Sequence, residues 1–166
     1  MIQKKVCMIG TSAVGKTSLV AKFVHGIYSD KYLTTVGVKI DKKDVALEGG
    51  GATLILWDLA GDDDFQRLNM SYLRASMGLL LVADGTRAIT LDQLLEVQTR
   101  VKEAIGTVPF VLALNKADLA SQWEIGEDRI AALEAQGWKI FKTSAKDGLG
   151  VEEAFTELAR RMTQPT

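Results

Sequence analysis

Val6–Ile9, Leu79–Ala83, Phe110–Leu114 and Ile140–Phe141 are continuous apolar runs. A strand with one wet face alternates apolar and polar residues, so unbroken runs of this length mark strands covered on both faces. Between them the apolar residues recur at helical spacing. Val151, Ala154, Phe155, Leu158, Ala159 and Met162 make one helical stripe. Gly15–His25 reads as a helix ended by Gly26, with His25 near the negative end of its dipole. Thr90 and Gln93 read as a capping box opening a helix through Leu91, Leu94, Leu95 and Val101, and Glu127–Gln136 as a helix stopped before Gly137. Ala52–Asp58 is a further strand, paired with Val36–Leu47 across the turn signal Gly49-Gly50-Gly51. In Val36–Leu47 the apolar positions change parity, from Val38 and Ile40 to Val45 and Leu47, which marks either a bulge or a misread register. Strands alternating with helices predict an α/β sheet covered on both faces, with ligands at the carboxyl ends of the strands.

Composition narrows the class. A chain of 166 residues, 47% of them apolar, suits one folded domain over residues 1–166 and excludes disorder. Twenty Lys and Arg against 21 Asp and Glu leave a charge of −1, with no basic field for nucleic acid. No apolar run approaches the roughly 20 residues of a membrane span. Lys4-Lys5 precedes only Val6–Ile9, too short for a signal-peptide core. The single cysteine, Cys7, makes no internal disulfide, is compatible with a reducing cytosol, and is expected in the core; the chain is read as cytoplasmic.

The loop after the first run, Gly10-Thr11-Ser12-Ala13-Val14-Gly15-Lys16-Thr17, is a complete G-x-x-x-x-G-K-[ST] between a strand and a helix. Its glycines let backbone N–H groups curl around phosphate oxygens where the helix begins. Ser12, Ala13, Val14, Gly15 and the following Ser18 are read as nucleotide-binding residues. Lys16 reaches the β- and γ-phosphates, and the Thr17 hydroxyl suits Mg²⁺. Trp57-Asp58-Leu59-Ala60-Gly61 follows another strand. Alone, Asp58 would read as a turn cap; beside a phosphate loop it suits Mg²⁺ through water, and Gly61 can offer its N–H to the γ-phosphate.

Two later strands run into Asn115-Lys116-Ala117-Asp118 and Thr143-Ser144-Ala145-Lys146. Guanine presents N1–H and N2–H₂ side by side, and the fork of Asp118 accepts both. Adenine lacks that edge and would leave the carboxylate without partners. The Ala145 N–H suits O6, the Lys116 stem covers a base face, and Ser144 and Lys146 complete the loop. Tyr28 is a candidate for an aromatic edge near base or ribose.

Gly10–Thr17, Thr35-Val36-Gly37, Trp57–Gly61, Asn115–Asp118 and Ser144–Lys146 resemble, in order and spacing, the five nucleotide motifs of the Ras-superfamily small GTPases. Thr35–Val38 and the Trp57 stretch look closest to the Rab branch, while Ser12–Thr17 is also compatible with Rho-like members. The resemblance implies a P-loop G domain, a six-stranded sheet with one antiparallel edge strand and five helices. It implies a monomeric switch that binds GTP or GDP with Mg²⁺ and hydrolyses GTP. Thr35 would ligate Mg²⁺ and the γ-phosphate only in the GTP state, with Gly61 holding the second switch loop. Tyr32 stands where the family often covers the phosphates with a tyrosine. Residues matching Ile40, Trp57 and Tyr72 meet effectors in Rab-like members; ordinary core packing is the alternative. Exchange factors and GTPase-activating proteins are further partners that the resemblance implies.

Two departures stand out. After Gly61 the family usually has Gln-Glu, and this chain has Asp62-Asp63-Asp64. The glutamine amide orients the attacking water by donating one hydrogen bond and accepting another. An ionised Asp62 cannot donate and brings negative charge toward the γ-phosphate, so hydrolysis is expected to slow while binding survives. Alternatively the acids form a solvated loop and another residue positions the water. No arginine lies between Tyr28 and Thr35, so a cis arginine finger is not evident there. The second departure is the end, Arg161–Thr166, without the prenylated cysteines common in eukaryotic relatives; no membrane anchor is expected in this chain. Either a tail has been removed, or the protein is never lipidated, or the domain belongs to a larger chain. The main alternative function is a GTP-binding interaction module held in the GTP state with negligible hydrolysis. A P-loop kinase or ATPase is disfavoured by Asp118 and Ala145.

Overall fold

The computed structural model describes residues 1–11, 13–29, 37–59 and 70–164. Along the chain run β1 (Ile2–Ile9), α1 (Lys16–His25), β2 (Val38–Leu47), β3 (Gly50–Leu59), a 3-10 turn (Met70–Leu73), β4 (Gly78–Asp84), α2 (Ala88–Ile105), β5 (Phe110–Asn115), a 3-10 segment (Ala117–Gln122), α3 (Glu127–Ala135), β6 (Ile140–Lys142) and α4 (Val151–Thr163). Among the described residues the strands form one sheet in the order β2-β3-β1-β4-β5-β6. Every neighbouring pair is parallel except β2 with β3. The mostly parallel α/β sheet with one antiparallel edge strand is the expected one.

Side-chain alternation explains the unbroken apolar runs. Val6 and Met8 of β1, Leu80 and Val82 of β4, and Val111 and Ala113 of β5 enter one core with Leu19 and Phe23 of α1 and Phe155 and Leu158 of α4. Their sequence neighbours Cys7, Ile9, Leu79, Leu81, Leu112 and Leu114 enter the other, with Leu91, Leu94 and Val97 of α2 and Ile130 and Leu133 of α3. Both faces of the central strands are dry along these runs, which carry no polar residue, and Asp58, Asp84 and Asn115 come only near the carboxyl ends of their strands. Cys7 is fully buried, as expected.

Two local expectations need correction. The hairpin register runs without a bulge from Val38↔Leu59 to Leu47↔Gly50, turning at Glu48-Gly49. The parity change in β2 has another cause: Val38 packs on the α2–α3 side, whereas Val45 and Leu47 pack on the α1–α4 side. The covered face changes along a regular edge strand. The capping box at Thr90 is not formed either, because α2 begins at Ala88. The Thr90 hydroxyl donates to Arg87 O at 2.7 Å and accepts the Asp84 N–H at 2.9 Å, and it is Glu124 Oε1 that accepts the Ala88 N–H, at 2.9 Å. A carboxylate from a distant segment caps the helix.

Candidate nucleotide site

β1, β4, β5 and β6 are parallel neighbours, so the loops that follow them open on the same edge of the sheet. After β1 the backbone turns through Ala13 (φ 65) and Gly15 (φ 102), both left-handed. Such a curl gathers N–H groups into an anion-binding concavity. A Cβ on Gly15 would lie 2.2 Å from Asn115 Nδ2, so only glycine fits. α1 starts immediately behind, with Leu19 N–H bonded to Gly15 O at 2.9 Å. Its first turn holds no acidic side chain, leaving its positive end to an anionic ligand.

Lys16 is 6% exposed, and its ammonium donates to Gly10 O at 2.6 Å. Burial pushes its pKa down to about 8, against the opposing pull of Asp58. Asp58 lies near the end of β3 with the parity of Leu54 and Leu56, which turns its fully buried carboxylate to the α1 side. The Thr17 hydroxyl donates to Asp58 Oδ2 at 2.6 Å. A hydroxyl and a carboxylate oxygen side by side are hard donors that fit Mg²⁺. Among the described residues no group of three or more His, Cys, Asp or Glu could hold a metal.

The base-side loops interlock with the phosphate loop through Asn115, which is 2% exposed. Its Nδ2 donates to Val14 O at 2.9 Å and its Oδ1 accepts the Thr143 hydroxyl at 3.1 Å. One amide thus clamps three loops. The Ser144 hydroxyl donates to Asp118 Oδ1 at 3.0 Å and accepts the Asp147 N–H at 3.0 Å, fixing the roll of the Asp118 carboxylate. A pocket of about 180 Å³ opens here, lined by Gly15, Ser18, Tyr28, Asn115, Lys116, Asp118, Leu119, Ala145 and Lys146. Eight of these nine were singled out from sequence; Leu119 was not, and carries no signal beyond following Asp118. Ser12, Tyr32, Thr35, Gly61 and the Asp62–Asp64 run lie outside the described residues.

A separate surface gathers the three candidate effector residues. Ile40, 48% exposed, is the register partner of Trp57 across the β2–β3 ladder. The Trp57 and Tyr72 rings meet at 6.2 Å. The Lys5 ammonium lies 3.8 Å over the Trp57 ring while donating to Arg74 O at 2.8 Å.

The family model described as Ras family matches residues 5–164, nearly the whole chain. The chain belongs to the Ras family. It is 33% identical over 158 residues to the Ras-related protein Rab-13 of Bos taurus, covering 94% of this chain and 78% of the relative. It is 34% identical to the Ras-related protein RAB1BV of Beta vulgaris, covering 96% and 76%. With the Ras-related protein Rab-8B of Homo sapiens the identity is 32%, covering 94% and 76%. This Ras-family chain is a small GTPase, Rab-like in its relatives and a guanine-nucleotide switch in its general function. Members of the family bind GTP and GDP with Mg²⁺.

Proposed function

We propose that this GTPase holds GDP or GTP between the Gly10–Thr17 loop and the pocket of Asp118 and Ala145. We further propose that it turns GTP over slowly because Asp62 stands in the place of the usual glutamine. The observation that carries the binding reading is the Asn115 clamp, which ties the phosphate loop to both base-side loops in one unit. Within that unit the Asp118 fork accepts guanine N1–H and N2–H₂, and the Ala145 N–H donates to O6. Lys16 and the backbone of residues 13–18 hold phosphate oxygens. Thr17 and Asp58 are the described residues that would hold Mg²⁺, and the resemblance adds Thr35 to them in the GTP state. When bound, Mg²⁺ would supply positive charge against the phosphates.

The chain's own contribution to turnover is positioning. The ammonium of Lys16 offsets negative charge that develops on the phosphates, and the family resemblance gives the Gly61 N–H the role of a γ-phosphate donor. A carboxylate at Asp62 accepts a hydrogen bond from water but donates none, and its negative charge opposes that of the γ-phosphate. Loading state then controls the loops that flank β2 and β3, and with them the Ile40–Trp57–Tyr72 surface offered to an effector. An exchange factor and an activating protein that supplies the missing donor complete the cycle.

Single-turnover GTP hydrolysis at saturating Mg²⁺, comparing wild type with Asp62→Gln, tests the turnover reading. The Gln variant is expected to be faster by about tenfold or more. Equal or slower turnover would instead place the water-orienting group elsewhere. If wild type shows no hydrolysis at all while retaining GTP, the chain acts as a binding module held in the GTP state.

A further inference from the structure

Asp84 ends β4 and belongs to none of the nucleotide motifs, yet it is 1% exposed and its carboxylate collects four donors. Oδ1 accepts the Thr86 N–H at 2.9 Å and the Thr86 hydroxyl at 2.7 Å. Oδ2 accepts Arg87 Nε at 3.0 Å and the Lys116 ammonium at 2.9 Å. Burial alone would raise the carboxyl pKa, but the bonds from Thr86, Lys116 and Arg87 outweigh it and hold it below its ordinary value. The group is a buried anion.

These donors serve different ends. Thr86 and Arg87 lie within the turn that leads from β4 into α2, and their bonds shape that turn. Lys116 comes from the neighbouring strand end, where Asp84 is the register partner of Asn115. Its backbone is left-handed (φ 72), and the residues around it are bonded in place through Ala117 N–H to Thr143 O and Leu119 N–H to Lys116 O, both at 2.9 Å. Lys116 lines the pocket together with Asp118. With its backbone fixed at one end and its ammonium on Asp84 at the other, the methylene stem has little freedom left. A loose lysine loses considerable rotamer entropy when pressed against a ligand, and one already ordered does not.

We propose that Asp84 is a positioning residue for the base: by holding the Lys116 ammonium it keeps the lysine stem standing as a preformed wall against the purine face, and so slows nucleotide release. The inference rests on the guanine-nucleotide reading of the pocket and adds to it a residue that touches no ligand.

Dissociation of methylanthraniloyl-GDP from the Mg²⁺-loaded protein, chased with unlabelled GDP, reads this directly. Asp84→Ala should release the probe about tenfold faster. Lys116→Met, which keeps the stem and drops the ammonium, should accelerate release by a similar factor. The double variant should be no faster than either single one, because both remove one interaction. Thr86→Ala removes a bond to the same carboxylate but leaves the Lys116 pair, and should release at the wild-type rate. Asp84→Asn keeps the volume should the alanine variant not fold, and its release should be at least about threefold faster. Wild-type release rates in Asp84→Asn and Lys116→Met, or multiplying effects in the double variant, would overturn the proposal. So would fast release in Thr86→Ala, which would assign Asp84 to its turn alone. A wild type that holds ADP as long as GDP would overturn the pocket reading and this inference with it. A wild type selective for GDP with a silent Asp84 would overturn only the inference.

Discussion

Burial has brought the Lys16 ammonium to a pKa of about 8 in a loop that is otherwise built for anions. Phosphate oxygens beside it favour the charged form and raise that pKa again. Above about pH 8 the free protein therefore carries a partly neutral Lys16, and nucleotide binding takes up a proton. Affinity is fully developed below that pH and falls as pH rises, approaching tenfold per pH unit until the pKa of the bound state is reached. For folding the sign is opposite: the buried ammonium costs stability below about pH 8, and the cost is relieved as pH climbs toward the ordinary lysine value of 10.5. Calorimetric binding of GDP at pH 8.5 in two buffers of different ionisation enthalpy should show proton uptake; identical heats would mean that Lys16 keeps one charge state throughout. Asn115 offers a second test at this scale. Replacing it with alanine leaves Val14 O and the Thr143 hydroxyl without their partner in a buried place, costing about 1–3 kcal/mol. Thermal unfolding of the nucleotide-free protein should register that loss. An unchanged melting temperature would make the clamp ornamental.

Among the elements, α4 joins packing to charge. Phe155 stacks on Phe23 of α1 with ring centroids 4.0 Å apart, while on the outer side Glu157 accepts hydrogen bonds from Arg160 and Arg161. The Arg160 bond, opposed by burial and reinforced by Arg161, brings the Glu157 carboxyl down to about 2. A carboxylate with a depressed folded pKa adds stability above its ordinary value of 4.5 that is lost as pH falls toward 2. Denaturant unfolding of wild type and Glu157→Gln should therefore show a gap at pH 7 that closes between about pH 4 and pH 2. A gap of constant size would assign the effect to packing. The stripe of α4 was legible in sequence because its period matches the helix, and the central strands β4 and β5 were legible because alternation is missing from them. Where the reading failed, the decisive partner was remote. Thr90 and Gln93 carry a capping signature, but the cap comes from Glu124, 36 residues beyond Ala88. The parity change of β2 records which neighbours cover each half of the strand, and those neighbours belong to other elements. The phosphate and base motifs were readable because backbone geometry dictates their residues locally. Asp84 was not, since its pairing with Lys116 exists only once β4 lies beside β5.

At the scale of the molecule, the site exists only as a consequence of sheet order. The loops around residues 10–17, 115–118 and 143–146 are far apart in sequence and meet because β1, β4, β5 and β6 are parallel neighbours. The two cores that sandwich the sheet include residues from all four of these strands or the helices behind them. A ligand that touches all three loops therefore binds the folded arrangement and has no counterpart of comparable affinity in the unfolded chain. Such linkage stabilises by about 2.7 kcal/mol when free ligand exceeds its dissociation constant a hundredfold. For a chain of this size that corresponds to a rise in melting temperature of about 5–10 °C. GDP with Mg²⁺ should produce this rise in protein stripped of nucleotide, and a chelator should reverse part of it by withdrawing the ion that Thr17 and Asp58 hold. ATP, which gives Asp118 no paired donor edge, should leave the melting temperature near that of the stripped protein. An equal rise with ATP would keep the coupling of site to fold and remove guanine as its ligand, because the phosphate loop alone would then account for all the binding energy.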